Sequence, residues 1–170
     1  QGEIGTTPLQ MANMTAAIAN RGYYYTPHIV KSTGKQGEID ERFRRKHEIH
    51  IDSANFEEII LGMEAAVNGG AGATARIAAM EDIIVCGKTG TAQNSQGKED
   101  HSVFVAFAPK DKPVIAIAVY VENSGFGATY AAPVASLMIE KYIKKEIGEV
   151  SKWKEQRMLE LNLTGRAAQH

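Results

Sequence analysis

Three apolar runs in close succession constrain this chain more than any other feature. Ile83 to Gln93, His101 to Ala108 and Val114 to Asn123 have strand character, and the gaps between them, Asn94 to Asp100 and Pro109 to Pro113, are too short for a crossover helix. The runs therefore pair as antiparallel neighbours. In Val103-Phe104-Val105-Ala106-Phe107-Ala108 and Val114-Ile115-Ala116-Ile117-Ala118-Val119 both alternating faces are apolar, so neither side of the sheet can face water. Helices must cover both sides.

Helical segments are available for that task. Thr7 to Arg21 reads as a helix: Thr7 caps it, Pro8 fits the first helical position and Gly22 supplies the left-handed residue that ends it. Ser53 caps a second helix to about Asn68, with Phe56, Ile59, Ile60, Met63, Ala66 and Val67 at helical spacing. A third runs from about Tyr130 to Ile147, with Val134, Leu137, Met138, Tyr142 and Ile143 forming the buried stripe and Glu140, Lys144 and Lys145 outside it.

The intervening segments are weaker. His28 to Ser32 looks extended, and Thr33 to Asp52 is charged, glycine-interrupted and reads as a surface excursion. Asn68 to Ala75 is a glycine-rich loop with room for a helical turn after it. Ser151 to Leu161 fits a further helix, and the remainder to His170 should fray. The expected fold is α/β of the α+β type, an antiparallel sheet flanked by helices.

Composition removes several function classes. With 19 basic and 20 acidic residues the net charge is -1, which gives neither a nucleic-acid footprint nor a polybasic membrane patch. The longest apolar stretch, Val114 to Val121, falls far short of the ~20 residues a membrane helix needs, so the segment is expected to be soluble. The chain opens at Gln1 with no secretory pattern and no initiator Met, so an upstream anchor is compatible with it. The single cysteine, Cys86, excludes an internal disulfide and reads as a small core residue.

One place concentrates chemistry. In Lys88-Thr89-Gly90-Thr91 a cation and two hydroxyls meet between glycines at the end of an apolar strand. A strand edge without bulky side chains lets a peptide pair with its backbone, while the hydroxyls and ammonium bind a carboxylate. The bland reading is an exposed Lys and two Thr at an ordinary strand end, because a specified tripeptide arises by chance in roughly one chain in twenty to thirty of this length.

Other candidates are weaker. Gly87-Lys88-Thr89 imitates the end of a phosphate-binding loop, but Asp82 stands where that loop needs its first glycine. Asn68 to Ala75 lacks dinucleotide spacing. His47 and His50 are three apart in a polar segment without the register of a metal helix, and a solvated strand or loop explains them better. His101 reads as a structural hydrogen-bonding group at a strand start.

The context of the tripeptide narrows its meaning. Gly87-Lys88-Thr89-Gly90-Thr91-Ala92-Gln93, followed by Asp100-His101 and the strand into Phe107-Ala108-Pro109, resembles class B penicillin-binding proteins, in which K-T-G is a signature. Gly2-Glu3, Thr7-Pro8-Leu9-Gln10-Met11-Ala12 and Ala17-Ile18-Ala19-Asn20-Arg21-Gly22 resemble the helix before the substrate strand in that family. Gly62-Met63-Glu64-Ala65-Ala66-Val67 and Val119-Tyr120-Val121-Glu122-Asn123 are most similar to the elongation group, penicillin-binding protein 2.

The resemblance implies that residues 1–150 are the carboxy-terminal portion of a transpeptidase domain and 151–170 a helical tail. It implies a peptidoglycan D,D-transpeptidase that acylates a serine with a donor stem peptide, is a target of β-lactams and needs no cofactor or metal. By the same resemblance Lys88 handles protons and charge, the Thr89 and Thr91 hydroxyls engage the donor carboxylate, the Thr91 N–H is an oxyanion-hole donor, and Gly90 permits close approach. The full-length protein would work at the periplasmic face of the bacterial inner membrane.

The family's S-x-x-K nucleophile and S-x-N loop precede the region matched here, and neither stands in context in this chain. Ser32 to Lys35 and Ser95 to Lys98 are glycine-containing polar linkers, Ser151 to Lys154 lies past the resemblance, and Ser53-Ala54-Asn55 begins a helix. Ser102 and Ser124 have no evident base. The segment is therefore expected to be inactive alone, to need the other half of its domain, and to self-associate through the apolar face that half would cover. The alternative is a penicillin-recognising sensor or non-catalytic binding module of the same fold.

Overall fold

The computed structural model describes residues 4–94 and 98–163; Gly2, Glu3, the Ser95 end of one S-x-x-K string and His170 lie outside the described residues. Helix α1 (Pro8–Ala19) starts as expected. The Thr7 hydroxyl accepts from the Gln10 N–H at 3.3 Å and the Gln10 side chain accepts from the Thr7 N–H at 2.8 Å, a reciprocal cap. Its end differs from the expectation. Arg21, at φ +58°, is the left-handed residue after the cap, and Gly22 follows at φ +112° with its N–H bonded to the Ala17 carbonyl at 2.9 Å. Gly22 is needed for a second reason, since a Cβ there would lie 3.1 Å from the Phe56 ring.

The segment 28–32 forms no strand. The strand lies earlier, at β1 (Tyr23–Tyr25), which pairs antiparallel with β2 (Lys46–Glu48) beyond the four-residue helix α2 (Glu41–Arg44). This excursion is largely exposed. His47 sits in β2, stacked on Tyr24 at 4.9 Å with its Nε2 3.0 Å from the Thr26 hydroxyl, and among the described residues no cluster of ligands could hold a metal ion.

Helix α3 (Ser53–Asn68) begins one residue earlier than its expected cap allows. Asp52 is the N-cap, its carboxylate accepting from the Ala54 N–H at 2.9 Å, and Ser53 is already helical. A carboxylate caps as well as a hydroxyl and adds charge favourable to the helix dipole. Phe56, Ile60, Met63 and Val67 are buried, whereas Ile59 is turned outward. Two short 3-10 turns, Gly70–Gly72 and Arg76–Ala78, follow.

The main sheet is β3 (Cys86–Ala92), β4 (His101–Ala108) and β5 (Ile115–Val121), antiparallel in that order, so β3 is an outer strand. Strand β3 starts three residues later than its apolar run because the carbonyls just before it are engaged elsewhere. Ile84 accepts from the Lys110 N–H at 3.0 Å and Val85 from the Asn68 side chain at 2.9 Å. One sheet face packs Phe104, Ala106 and Val85 against Ala131, Ala132, Ala135 and Ile139 of α4 (Ala131–Lys144). The other packs Cys86 and Phe107 against Ala19 of α1 and Ile60 and Met63 of α3. Both apolar faces are thus covered by helices, as their patterning requires.

The face that α4 buries matches the expected stripe only in part: Leu137 is buried and Ile143 packs against the core as expected. Ala132, Ala135 and Ile139 belong to the cluster that covers the sheet and Ser136 is buried, while Met138 and Tyr142 are half exposed and Glu140 is buried. Small side chains let the helix approach the sheet closely, and the larger apolar ones turn toward α5 (Lys152–Leu159), where Leu137, Met138, Tyr142, Met158 and Leu159 line a cleft. Glu140 is buried with partners: its Oε1 accepts from the Gly148 N–H at 3.4 Å and faces Lys144 at 3.5 Å. Among the described residues no helix is long and apolar enough to cross a membrane.

Candidate active site

The Lys-Thr-Gly segment occupies the outer strand, as its sequence context requires. Lys88, Thr89, Gly90 and Thr91 pair with Val105, Phe104, Val103 and Ser102 of β4. Alternation places Lys88 and Gly90 on one face and Thr89 and Thr91 on the other, the face that carries Phe104 and Ser102. Lys88 is exposed, its ammonium donating to the Thr89 carbonyl at 2.9 Å. The strand has no bulky side chain from Gly87 to Ala92 apart from Lys88, leaving a low, polar edge.

The strand is held from behind by tight backbone packing. A Cβ on Gly87 would come within 2.5 Å of the buried Phe104 ring. Gly127, in the loop after β5, lies so close that its Cβ would be 2.5 Å from the Gly90 carbonyl oxygen and 2.4 Å from that of Val103. Ser102, fully buried and opposite Thr91, pins the same loop: its hydroxyl donates to the Phe126 carbonyl at 2.9 Å and accepts from the Ala131 N–H at 3.0 Å.

Neighbouring groups have structural duties. His101 accepts the Asn123 N–H on Nδ1 at 3.0 Å and lies against Tyr120. Ser124 donates to the Val121 carbonyl at 2.8 Å. Ser32 and Lys35 fall in an exposed turn. Lys154 is buried, and its ammonium reaches the Ile77 carbonyl and the Ser136 hydroxyl, each at 3.3 Å, which does not make Ser151 a nucleophile.

Sequence reasoning overlooked two residues. Thr74 places its hydroxyl 3.5 Å from that of Thr89, and Gly127 fixes the spacing behind Gly90. Thr74 lies in a glycine-rich loop that carries no periodicity. Gly127 stands in a Gly-rich turn whose tight packing arises only from tertiary approach.

The covered antiparallel sheet and its outer Lys-Thr-Gly strand define the class as a penicillin-recognising transpeptidase fold. Residues 1–140 match the penicillin binding protein transpeptidase domain. Peptidoglycan D,D-transpeptidase MrdA of Haemophilus influenzae is 32% identical over 171 residues, covering 90% of this chain and 26% of that protein. Among solved structures, Pseudomonas aeruginosa PBP2 in complex with WCK 5153 matches 89% of this chain and 32% of its own, with TM-score 0.72 and 36% identity. An imipenem acyl-enzyme complex of Mycobacterium tuberculosis penicillin-binding protein A matches with TM-score 0.71 and 28% identity over 84% of this chain and 32% of that one.

The chain belongs to the penicillin-binding protein transpeptidase family and is of the class B, penicillin-binding protein 2 type. It spans about a quarter of the length of the MrdA relative.

Proposed function

We propose that this segment is the substrate-binding wall of a peptidoglycan D,D-transpeptidase whose nucleophilic serine belongs to a part of the domain that precedes it. The observation that carries the reading is the placement of Lys88 to Thr91 on the outer strand of a sheet of this family. A donor stem peptide would lie along β3 and pair with its backbone, with the Thr89 and Thr91 hydroxyls on its terminal carboxylate and the Thr91 N–H on the developing oxyanion. Lys88 would supply positive charge beside the reacting serine. The serine then forms an ester with the donor carbonyl as the terminal residue leaves, and an acceptor amine resolves the ester to a cross-link. A β-lactam would enter the same site as a donor mimic.

The rest of the domain has a surface to pack on. Leu9 and Met14 of α1 and Ile59 and Leu61 of α3 are about half exposed or more, an apolar surface in keeping with a covering layer. Without that layer the segment would self-associate, and sedimentation of a clean monomer at high concentration would count against this. The full-length protein would act at the periplasmic face of the inner membrane, where the cross-linked polymer lies.

Fluorescent penicillin tests the reading. The full-length protein is expected to be labelled on a serine upstream of residue 1 and this 170-residue chain not at all. An adduct on Ser32, Ser95 or Ser151 would overturn it. A full-length protein that is acylated but forms no cross-links would be a sensor.

A further inference from the structure

Lys154 lies on the tail helix α5, beyond residues 1–140 that match the family, and is only 6% exposed. A buried ammonium is expensive, and burial pushes its pKa below the ordinary lysine range, with Glu140 opposing that shift. Adhesion alone does not require it. Val134, Leu137 and Met158 line the cleft between α4 and α5 and offer apolar surface to both helices, and a methionine at 154 would pack without desolvating a charge.

The ammonium is used for its donors. It bonds the Ser136 hydroxyl, whose own proton goes to the Pro133 carbonyl at 2.9 Å, and the Ile77 carbonyl in the 3-10 turn Arg76–Ala78. Two routes connect that turn to the substrate strand. Ala75 and Ala78 are fully buried in the cluster that contains Phe104, and Phe104 is the register partner of Thr89. Thr74, three residues before Ile77, meets the Thr89 hydroxyl directly.

We propose that Lys154 is a positioning residue for the substrate strand: by holding the Ile77 carbonyl, the tail helix fixes the segment 74–78 and, through Thr74 and Phe104, the setting of Thr89. This rests on the reading of β3 as the donor strand. It gives the tail a role in recognition of a carboxylate-bearing donor rather than in the chemical step. Loss of the tether therefore weakens the initial complex and leaves the acylation step nearly unchanged.

The test uses the full-length protein and the concentration dependence of acylation by fluorescent penicillin, which separates affinity of the first complex from the acylation rate. Lys154→Met is expected to fold, to weaken the first complex about three- to ten-fold and to leave the acylation rate within about two-fold. Lys154→Arg should restore most of the affinity. In a Thr89→Val background Lys154→Met should add no further loss, because both changes act on one hydroxyl. Amide exchange on the same proteins should accelerate at residues 76–79 and 89–91 and not in α3.

Wild-type affinity in Lys154→Met, full additivity with Thr89→Val, or unchanged exchange at those amides would each overturn the proposal. Absent acylation in the wild type, with exchange responding as expected, would defeat the transpeptidase reading and support the mechanical link.

Discussion

The backbone of Gly127 rests against that of Gly90: a Cβ on Gly127 would be 2.5 Å from the Gly90 carbonyl oxygen and 3.2 Å from its nitrogen. The glycine of the Lys-Thr-Gly strand is thus backed by the loop that leads into α4. The atoms approached are backbone, so no rotamer change relieves the contact. Gly127→Ala in the full-length protein is expected to cost about 3 kcal/mol, the upper end of overpacking penalties, and to slow acylation by displacing Gly90. Chemical denaturation and labelling with fluorescent penicillin measure the two effects.

Ser102→Ala addresses the same loop through polar chemistry. The change removes the acceptor of the buried Ala131 N–H and the donor to the Phe126 carbonyl. A buried amide left without a partner costs about 1–3 kcal/mol. Denaturation should show that loss, and Ser102→Thr, which keeps the hydroxyl, should recover part of it. A neutral Ser102→Ala would mean that the loop is held by backbone packing alone.

Most of the sheet was legible in the sequence because two-sided apolar runs with short gaps leave few alternatives. The need for two covering layers follows from the apolar residues on both alternating faces of Val103 to Ala108 and Val114 to Val119, whereas the register is set by the structure alone. The α4 face is legible only in part: Leu137 and Ile143 pack as expected, but close approach to the sheet also selects the small Ala132 and Ala135, which a stripe of large side chains does not include. Glu140 is expected outside the buried stripe and the sequence carries no signal for the burial of Lys154; both are buried where residues 148–154 fold back on α4, which local periodicity cannot express. The Lys-Thr-Gly strand was legible since the motif is contiguous. Its supports, Thr74 and Gly127, come from 15 residues upstream of Thr89 and from the loop beyond β5.

The substrate strand itself makes the most direct prediction for activity. In the full-length protein Thr89→Val and Thr91→Val each remove one hydroxyl from the proposed carboxylate site and should lower the second-order acylation rate constant about ten- to a hundred-fold, the worth of a hydrogen bond to a charged group. Lys88→Ala should lower it about 10²- to 10⁴-fold, as for loss of a proton-handling group. Lys88→Ala with wild-type acylation would remove Lys88 from the site.

Cys86 offers a test of the core beneath that strand. Its thiol is fully buried, and burial, with the Glu64 carboxylate adding to it, pushes its pKa from an ordinary 9.0 up to about 12. Below pH 9 both folded and unfolded chains keep the proton, so the thiol has no effect on the balance between them. Between pH 9 and 12 the unfolded chain releases the proton and the folded one retains it, so stability falls as pH rises, by at most about 1.4 kcal/mol per pH unit. Denaturation of the full-length protein at pH 8 and pH 10 should show this slope, and Cys86→Ala should remove that share of it. The same burial should leave the native thiol inert to an aromatic disulfide reagent and make it reactive in denaturant. Rapid labelling of Cys86 under native conditions would mean that β3 opens from α1 and α3 far more readily than its packing implies, and a strand that opens so readily could not hold a donor peptide in register.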